Sequence, residues 1–246
     1  MTDGLLLVHA FPLDGRMWDP QVSAFDSGLP VAAPHLPGFG GSTATGEVMT
    51  MAAAAERCLH ELDRAGIDRA VVCGLSMGGY VTLELWRRAP ERFAGIVLAN
   101  TRATADPRES AAARRALAER LRAEGSGFLV DNPPPLLSED ASPELRELVR
   151  LMISQQPAES IAAASVGMAE RPDSTADLAG IHVPALVITS ELDKLIPKEA
   201  SSPMASQIPG AQLAVLGGAG HLSNLEAAEE FNRLLELHLE RCGIPG

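Results

Sequence analysis

An α/β fold, with a mostly parallel sheet of about six strands, helices on both faces and a helical insertion, is what this sequence predicts, on three observations. Short apolar runs alternate with longer stretches of helical period, the pattern of parallel strands joined by crossover helices. The interior runs are apolar at every position, as burial on both faces of a sheet requires. The alternation then breaks between about residues 102 and 180, where amphipathic stretches follow one another with no strand between them.

In chain order, the first strands are expected at 5–9 and 30–33, each closed by a Pro-containing loop. A helix follows, because Met51, Ala55, Cys58, Leu59, Leu62 and Ala65 recur at helical spacing and Gly66 supplies a C-terminal cap. The strand at 70–74 leads through a sharp turn into a helix-like stretch at 80–89, and a further strand lies at 95–99. Helices at 111–123, 143–155 and 159–169 make up the insertion, the first two separated by the proline run 133–135. Strands at 185–189 and 212–216 complete the sheet. The last helix opens with Ser223 and Glu226 in capping-box spacing and carries Ala227, Phe231, Leu234, Leu235 and His238 on one side, with His238 expected at its surface or edge. The division is therefore a core of 1–101 and 181–246, with 102–180 as a lid over the carboxyl ends of the strands, where open α/β sheets bind ligands.

Bulk properties narrow the function. A chain of 246 residues buries a substantial core, and 46% hydrophobic with 21% charged residues is ordinary for a globular domain. A net charge of −12, with no concentrated basic face, excludes nucleic acid as a partner. Cys58, Cys73 and Cys242 have neither paired nor metal-like spacing and read as free thiols in a reducing compartment. The N-terminal apolar run 5–8 is too short for a signal peptide or membrane span, so no membrane association and a cytoplasmic location are expected. The expected partner is a small-molecule substrate, with no cofactor and no metal.

Chemistry concentrates at Gly74-Leu75-Ser76-Met77-Gly78, where a serine sits on a strand-to-helix turn. Flanking glycines let the two backbones approach closely, and the Met77 N–H opens the helix, where negative charge is favoured. A serine hydroxyl is a poor nucleophile, so it needs a base within hydrogen-bond reach and a third group to orient that base. Both follow in loops after late strands: Asp193 in Ser190-Glu191-Leu192-Asp193 and His221 in Gly217-Gly218-Ala219-Gly220-His221. Glu191 is the rival acid. His60 and His238 lie in helices, His182 near a strand start, and His9 and His35 at strand ends in structural roles. The Met77 N–H is a candidate donor to a developing oxyanion.

These segments, together with His9-Ala10-Phe11-Pro12-Leu13-Asp14, Leu36-Pro37-Gly38-Phe39-Gly40-Gly41-Ser42, Leu98-Ala99-Asn100-Thr101 and Leu192-Asp193-Lys194-Leu195-Ile196-Pro197, resemble the α/β-hydrolase superfamily over nearly the whole chain, in its lid-bearing esterase and lactonase form. The resemblance implies an α/β-hydrolase fold and hydrolysis of a small carboxylic ester or lactone, by Ser76 as nucleophile, His221 as base and Asp193 as its orienting acid. It is most similar to 3-oxoadipate enol-lactonase-like proteins, with pimeloyl-carrier-protein methyl ester esterases next; a cofactor-free perhydrolase or haloperoxidase and a non-catalytic ligand receptor are the alternatives. The resemblance makes the Phe11 N–H the second oxyanion donor, since Pro12 has none. Departures are the missing antiparallel hairpin before the first strand, His35 in place of a common aspartate, Ala10 in place of a glycine that shapes the oxyanion loop, and Ser190 in place of a glycine. Within the lid, Phe128 is the one aromatic residue, pointing to an aliphatic pocket. Arg102, Arg108, Arg114 and Arg115 are either partners for a substrate carboxylate or solvated helix faces, and Asp14, Arg16 and Trp18 either shape the pocket mouth or belong to a loop and helix cap.

Overall fold

The computed structural model of the chain describes residues 1–244; the last two residues of the expected core segment 181–246 lie outside the described residues. The chain forms, in order, β1 (Asp3–Val8), α1 (Asp19–Phe25), β2 (Val31–Ala32), α2 (Met51–Arg64), β3 (Arg69–Leu75), α3 (Met77–Arg88) and β4 (Phe93–Ala99). Next come α4 (Arg108–Glu124), α5 (Gly127–Asp131), α6 (Pro143–Ser154) and α7 (Ala158–Ala169), then β5 (Ala185–Ser190), α8 (Lys198–Gln207), β6 (Gln212–Leu216), α9 (Ser223–Glu226) and α10 (Ala228–Arg241).

All six strands are parallel, in the order β2-β1-β3-β4-β5-β6. β3 and β4 are buried at nearly every position, as their unbroken apolar sequences require, whereas the edge strand β6 leaves Leu213 and Val215 exposed. The chain steps outward from β1 to β2, then back across β1 to β3. Right-handed crossovers therefore put α1 on one face, where it meets α10, and α2 and α3 together on the other, with α8 on β5. The reversal between β1 and β3 splays the loops that follow them and opens a crevice at their carboxyl ends. Phe11 and Ser76 lie in those two loops.

Local signals mostly act as their chemistry dictates. Thr50 caps α2 by accepting from the Ala53 N–H, and Gly66, at φ +66°, ends it in the left-handed conformation glycine tolerates. Between β4 and β5 the chain runs through four helices, with α4 packed along α7 and α5 against α6. No helix among the described residues is long and apolar enough to cross a membrane.

Two expectations at the C-terminus are corrected. Ser223 does not cap the last helix: its hydroxyl donates to Asn100 Oδ1 at 2.6 Å, and the helix is broken into α9 and α10 at Ala227 (φ −126°, ψ 48°). Glu226 instead accepts from the Ser138 N–H at 2.9 Å and the Gly220 N–H at 2.8 Å.

His238 is not a surface residue but is 1% exposed, near Gly95 on β4, where a β-carbon would strike Cys242 Sγ and come within 3.3 Å of His238 Nε2. Its ring nitrogens lie near the Ile96 and Pro184 backbone yet make no well-directed hydrogen bond, and burial pushes its pKa down to about 4. Burial does the same to His9, also to about 4.

The unfolded chain therefore binds protons at these two sites between roughly pH 6.5 and 4 that the folded chain refuses, so stability is complete above that window and is lost as pH falls through it. The expected loss at pH 5 is about 2 kcal/mol per histidine. Urea unfolding at pH 7.5 and pH 5.0 measures it, and His238→Phe should show a shallower decline than wild type. Parallel declines in the two proteins would remove His238 as a source.

Candidate active site

The Ser76 backbone is held in a strained conformation, φ 58° and ψ −114°, which costs a β-carbon-bearing residue about 1–3 kcal/mol. The surroundings enforce it. The Ser76 N–H donates to Ala99 O at 2.9 Å, and Ser76 O accepts from the Thr101 hydroxyl at 2.7 Å and from the Gly79 N–H. Glycine is required at 74 and 78 by contact: a β-carbon on Gly74 would strike Gly78 O, and one on Gly78 would strike Val8 O. This close approach brings the start of α3 against the end of β1, and so places the Phe11 loop beside the Ser76 turn.

Asp193, in the loop after β5, is 5% exposed and surrounded by donors. Oδ1 accepts from the Leu195 and Ile196 N–H groups, each at 2.9 Å; Oδ2 accepts from His221 Nδ1 at 2.8 Å and from Asn100 Nδ2 at 2.9 Å. Burial opposes ionisation here, but the hydrogen bond and charge of His221, with the Ile196 N–H and Asn100, outweigh it and hold the carboxyl below its ordinary range. His221 is 1% exposed, and its bond to Asp193 fixes the proton on Nδ1, leaving Nε2 with no protein partner among the described residues.

The sequence pointed to Asp193 and His221, and the structure brings them together. Glu191 is exposed and does not touch His221. Asn100 was noticed only within a motif, yet it bridges the Asp193 carboxylate, Ser190 Oγ and Ser223 Oγ, from a left-handed conformation with φ 43°.

Ser76 and His221 line one cavity of about 230 Å³, together with Phe11, Tyr80 and residues of α4, α5 and α7. The Ser76 hydroxyl and His221 are not hydrogen-bonded to each other in this structure; both open onto the same space. The N–H groups of Phe11 and Met77 have no acceptor among the described residues, and the Met77 N–H stands at the amino end of α3.

Loops around the cavity are braced. The Leu222 N–H donates to Leu136 O at 2.9 Å, and Glu226 joins Ser138 to Gly220, so the His221 loop is stitched to the segment between α5 and α6. Asp14 and Arg16 do not line the cavity. Asp14 caps the turn Gly15–Trp18, pairs with Arg16 at 2.6 Å and accepts from Gln156 Nε2 at 2.7 Å, and Trp18 is fully buried against Phe231. Ala10 adopts no left-handed conformation, and its N–H meets Met17 Sδ at 3.1 Å.

Among the candidate arginines, Arg102 and Arg114 line the cavity, while Arg115 is exposed beside Glu170 and Arg108 is exposed.

The sequence profile described as "Alpha/beta hydrolase family" matches residues 5–234. The chain is 29% identical to the pimeloyl-[acyl-carrier protein] methyl ester esterase of Aromatoleum aromaticum, over 94% of this chain and 96% of that one. It is 31% identical to 3-oxoadipate enol-lactonase 1 of Acinetobacter baylyi, over 92% of this chain and 85% of that one. Among solved structures, a thermophilic esterase from Thermogutta terrifontis, with malate bound, superposes with a TM-score of 0.93 at 39% identity, over 98% of this chain and 92% of that one.

Proposed function

Because the chain belongs to the alpha/beta hydrolase family, we propose that it is a serine hydrolase that cleaves a small carboxylic ester or lactone through an acyl-enzyme. The observation that carries this is the His221–Asp193 pair, 2.8 Å apart and buried, in the wall of the same cavity as Ser76. Relatives that are esterases and lactonases support it.

In the proposed mechanism the Ser76 hydroxyl rotates toward His221 Nε2, an adjustment that substrate-free sites commonly need. Oγ attacks the carbonyl carbon while its proton passes to Nε2, and the tetrahedral oxyanion is received by the Phe11 and Met77 N–H groups. Collapse breaks the bond to the alkoxy oxygen, which takes the proton back from His221. For a lactone the released alcohol stays tethered to the acyl group. Water, deprotonated by His221, then attacks the acyl-enzyme, and a second collapse frees Ser76 and the acid. Asp193 stays ionised throughout, keeps Nδ1 protonated and stabilises the imidazolium that forms. The helical segment 102–180 serves as the lid.

Covalent labelling by a fluorophosphonate, paired with a panel of short esters, diacid methyl esters and lactones, tests this reading. Labelling that disappears in Ser76→Ala, with turnover of at least one panel member, is the expected result. A folded protein that neither labels nor turns over would instead be a ligand receptor.

A further inference from the structure

β4 runs between β3, which leads to Ser76, and β5, which leads to Asp193. The residues at its end therefore stand between those two loops. Ala99 O accepts from the Ser76 N–H and the Thr101 hydroxyl donates to Ser76 O, while the Asn100 N–H donates to Ile188 O on β5 at 2.8 Å. The Asn100 side chain is fully buried and reaches the loops of both Asp193 and His221.

The carboxylate fixes which way the Asn100 amide faces. An ionised Asp193 can only accept, so Nδ2 is the end turned toward it; one Nδ2 proton goes to Asp193 Oδ2 and the other to Ser190 Oγ, each at 2.9 Å. Oδ1 then faces Ser223, two residues past His221, whose hydroxyl donates to it at 2.6 Å. With the Leu195 and Ile196 N–H groups on Oδ1 and His221 Nδ1 on Oδ2, Asn100 completes two donors on each carboxylate oxygen, about the capacity of the group. A carboxylate filled in this way is held in one orientation. An asparagine present only for its backbone, at φ 43°, would need no side-chain partners, since this residue type tolerates the left-handed region by itself. Here both ends of the amide are engaged, one by the acid and the other by the segment that follows the base.

We infer that Asn100 is a positioning residue for the Asp193–His221 pair: Nδ2 holds the acid, and Oδ1, through Ser223, holds the loop of the base, so that the two loops keep their 2.8 Å contact. This rests on the hydrolase reading above, which gives the pair its chemistry.

Asn100→Gly keeps the left-handed backbone and deletes the amide. With p-nitrophenyl acetate, kcat is expected to fall by about 10-fold or more, the worth of one hydrogen bond to a charged group, with KM near that of wild type. The same substitution in an Asp193→Asn background should change kcat by less than about threefold, because Asn100 Nδ2 then faces an amide nitrogen in place of a carboxylate oxygen. A residue that merely supports the turn would cost the same factor in both backgrounds. Ser223→Ala removes only the hydroxyl that orients the amide; it is expected to lower kcat by about 3- to 10-fold with the same dependence on Asp193, and it decides the matter if Asn100→Gly does not fold. A folded Asn100→Gly protein within about twofold of wild type in kcat, or factors that multiply in full across the two backgrounds, would overturn the proposal.

Proton NMR of the substrate-free protein reads the same clamp without turnover. The low-field signal of the His221 Nδ1 proton should shift and broaden in Asn100→Gly as the pair loosens, and an unchanged signal removes the role. If fluorophosphonate labelling and ester cleavage both fail, the hydrolase reading falls while this signal still judges Asn100.

Discussion

Ser76→Ala is expected to lower kcat for a p-nitrophenyl ester by about 10⁴- to 10⁶-fold, and His221→Ala by a similar factor. In the proposed mechanism Oγ is the atom that becomes bonded to the acyl carbon, and nothing else in the cavity wall replaces it there: the Tyr80 hydroxyl is a weak nucleophile with no base paired to it. His221 Nε2 is the ring nitrogen free to take the proton, since Nδ1 is held by Asp193. The two residues act as one unit, so the double variant should be scarcely worse than either single one. What is expected to survive is the stabilisation that the proposed mechanism assigns to the Phe11 and Met77 N–H groups and to substrate binding. Initial rates corrected for spontaneous hydrolysis measure the effect; a Ser76→Ala protein within tenfold of wild type would end the acyl-enzyme scheme.

The second large effect is expected at Asp193, where Asn should reduce kcat by about 10³-fold with the fold intact. Two Asp193 contacts, the Leu195 and Ile196 N–H groups, need only an acceptor, which the amide oxygen still provides. The other side of the carboxylate faces two donors, His221 Nδ1 and Asn100 Nδ2. An amide nitrogen there opposes both, so it drives the imidazole toward the tautomer protonated on Nε2, which cannot accept the serine proton. Loss of negative charge also leaves the imidazolium unsupported. Glu191→Gln serves as the control and should retain activity, because that side chain is exposed. A silent Asp193→Asn with a crippled Glu191→Gln would reverse the assignment of the acid.

The sheet was legible because each strand is a short apolar run closed by a turn residue, and a parallel sheet buried on both faces tolerates little else. The placement of the candidate residues Ser76, Asp193 and His221 around one cavity was legible for a related reason: sharp turns at strand ends need glycine or special loops, and those leave a local trace. Helices α1, α5 and α8 left weaker traces. The first two are short, and α8 carries Pro203 inside it.

Glu226 and Asn100 were beyond local reasoning, since their partners lie 88 residues away at Ser138 and 93 residues away at Asp193. His238 was misjudged because what covers it is the backbone at Ile96 and Pro184, far away in the chain, which no helical periodicity reveals. Arginines 102, 108, 114 and 115 look alike in sequence; only the folding of α4 over the crevice separates the pair at the cavity from those outside it.

The stitching of the His221 loop to residues 136–138 has an evolutionary consequence. A chimera that took its whole helical segment from a relative would break the Leu136 O, Ser138 and Glu226 hydrogen bonds that seat the imidazole, unless the donor matched them. On the proposed mechanism, substrate choice and proton shuttling would thus be inherited as one block. Selection for a new substrate is expected to work by single replacements around the pocket, with wholesale exchange of the cover disfavoured.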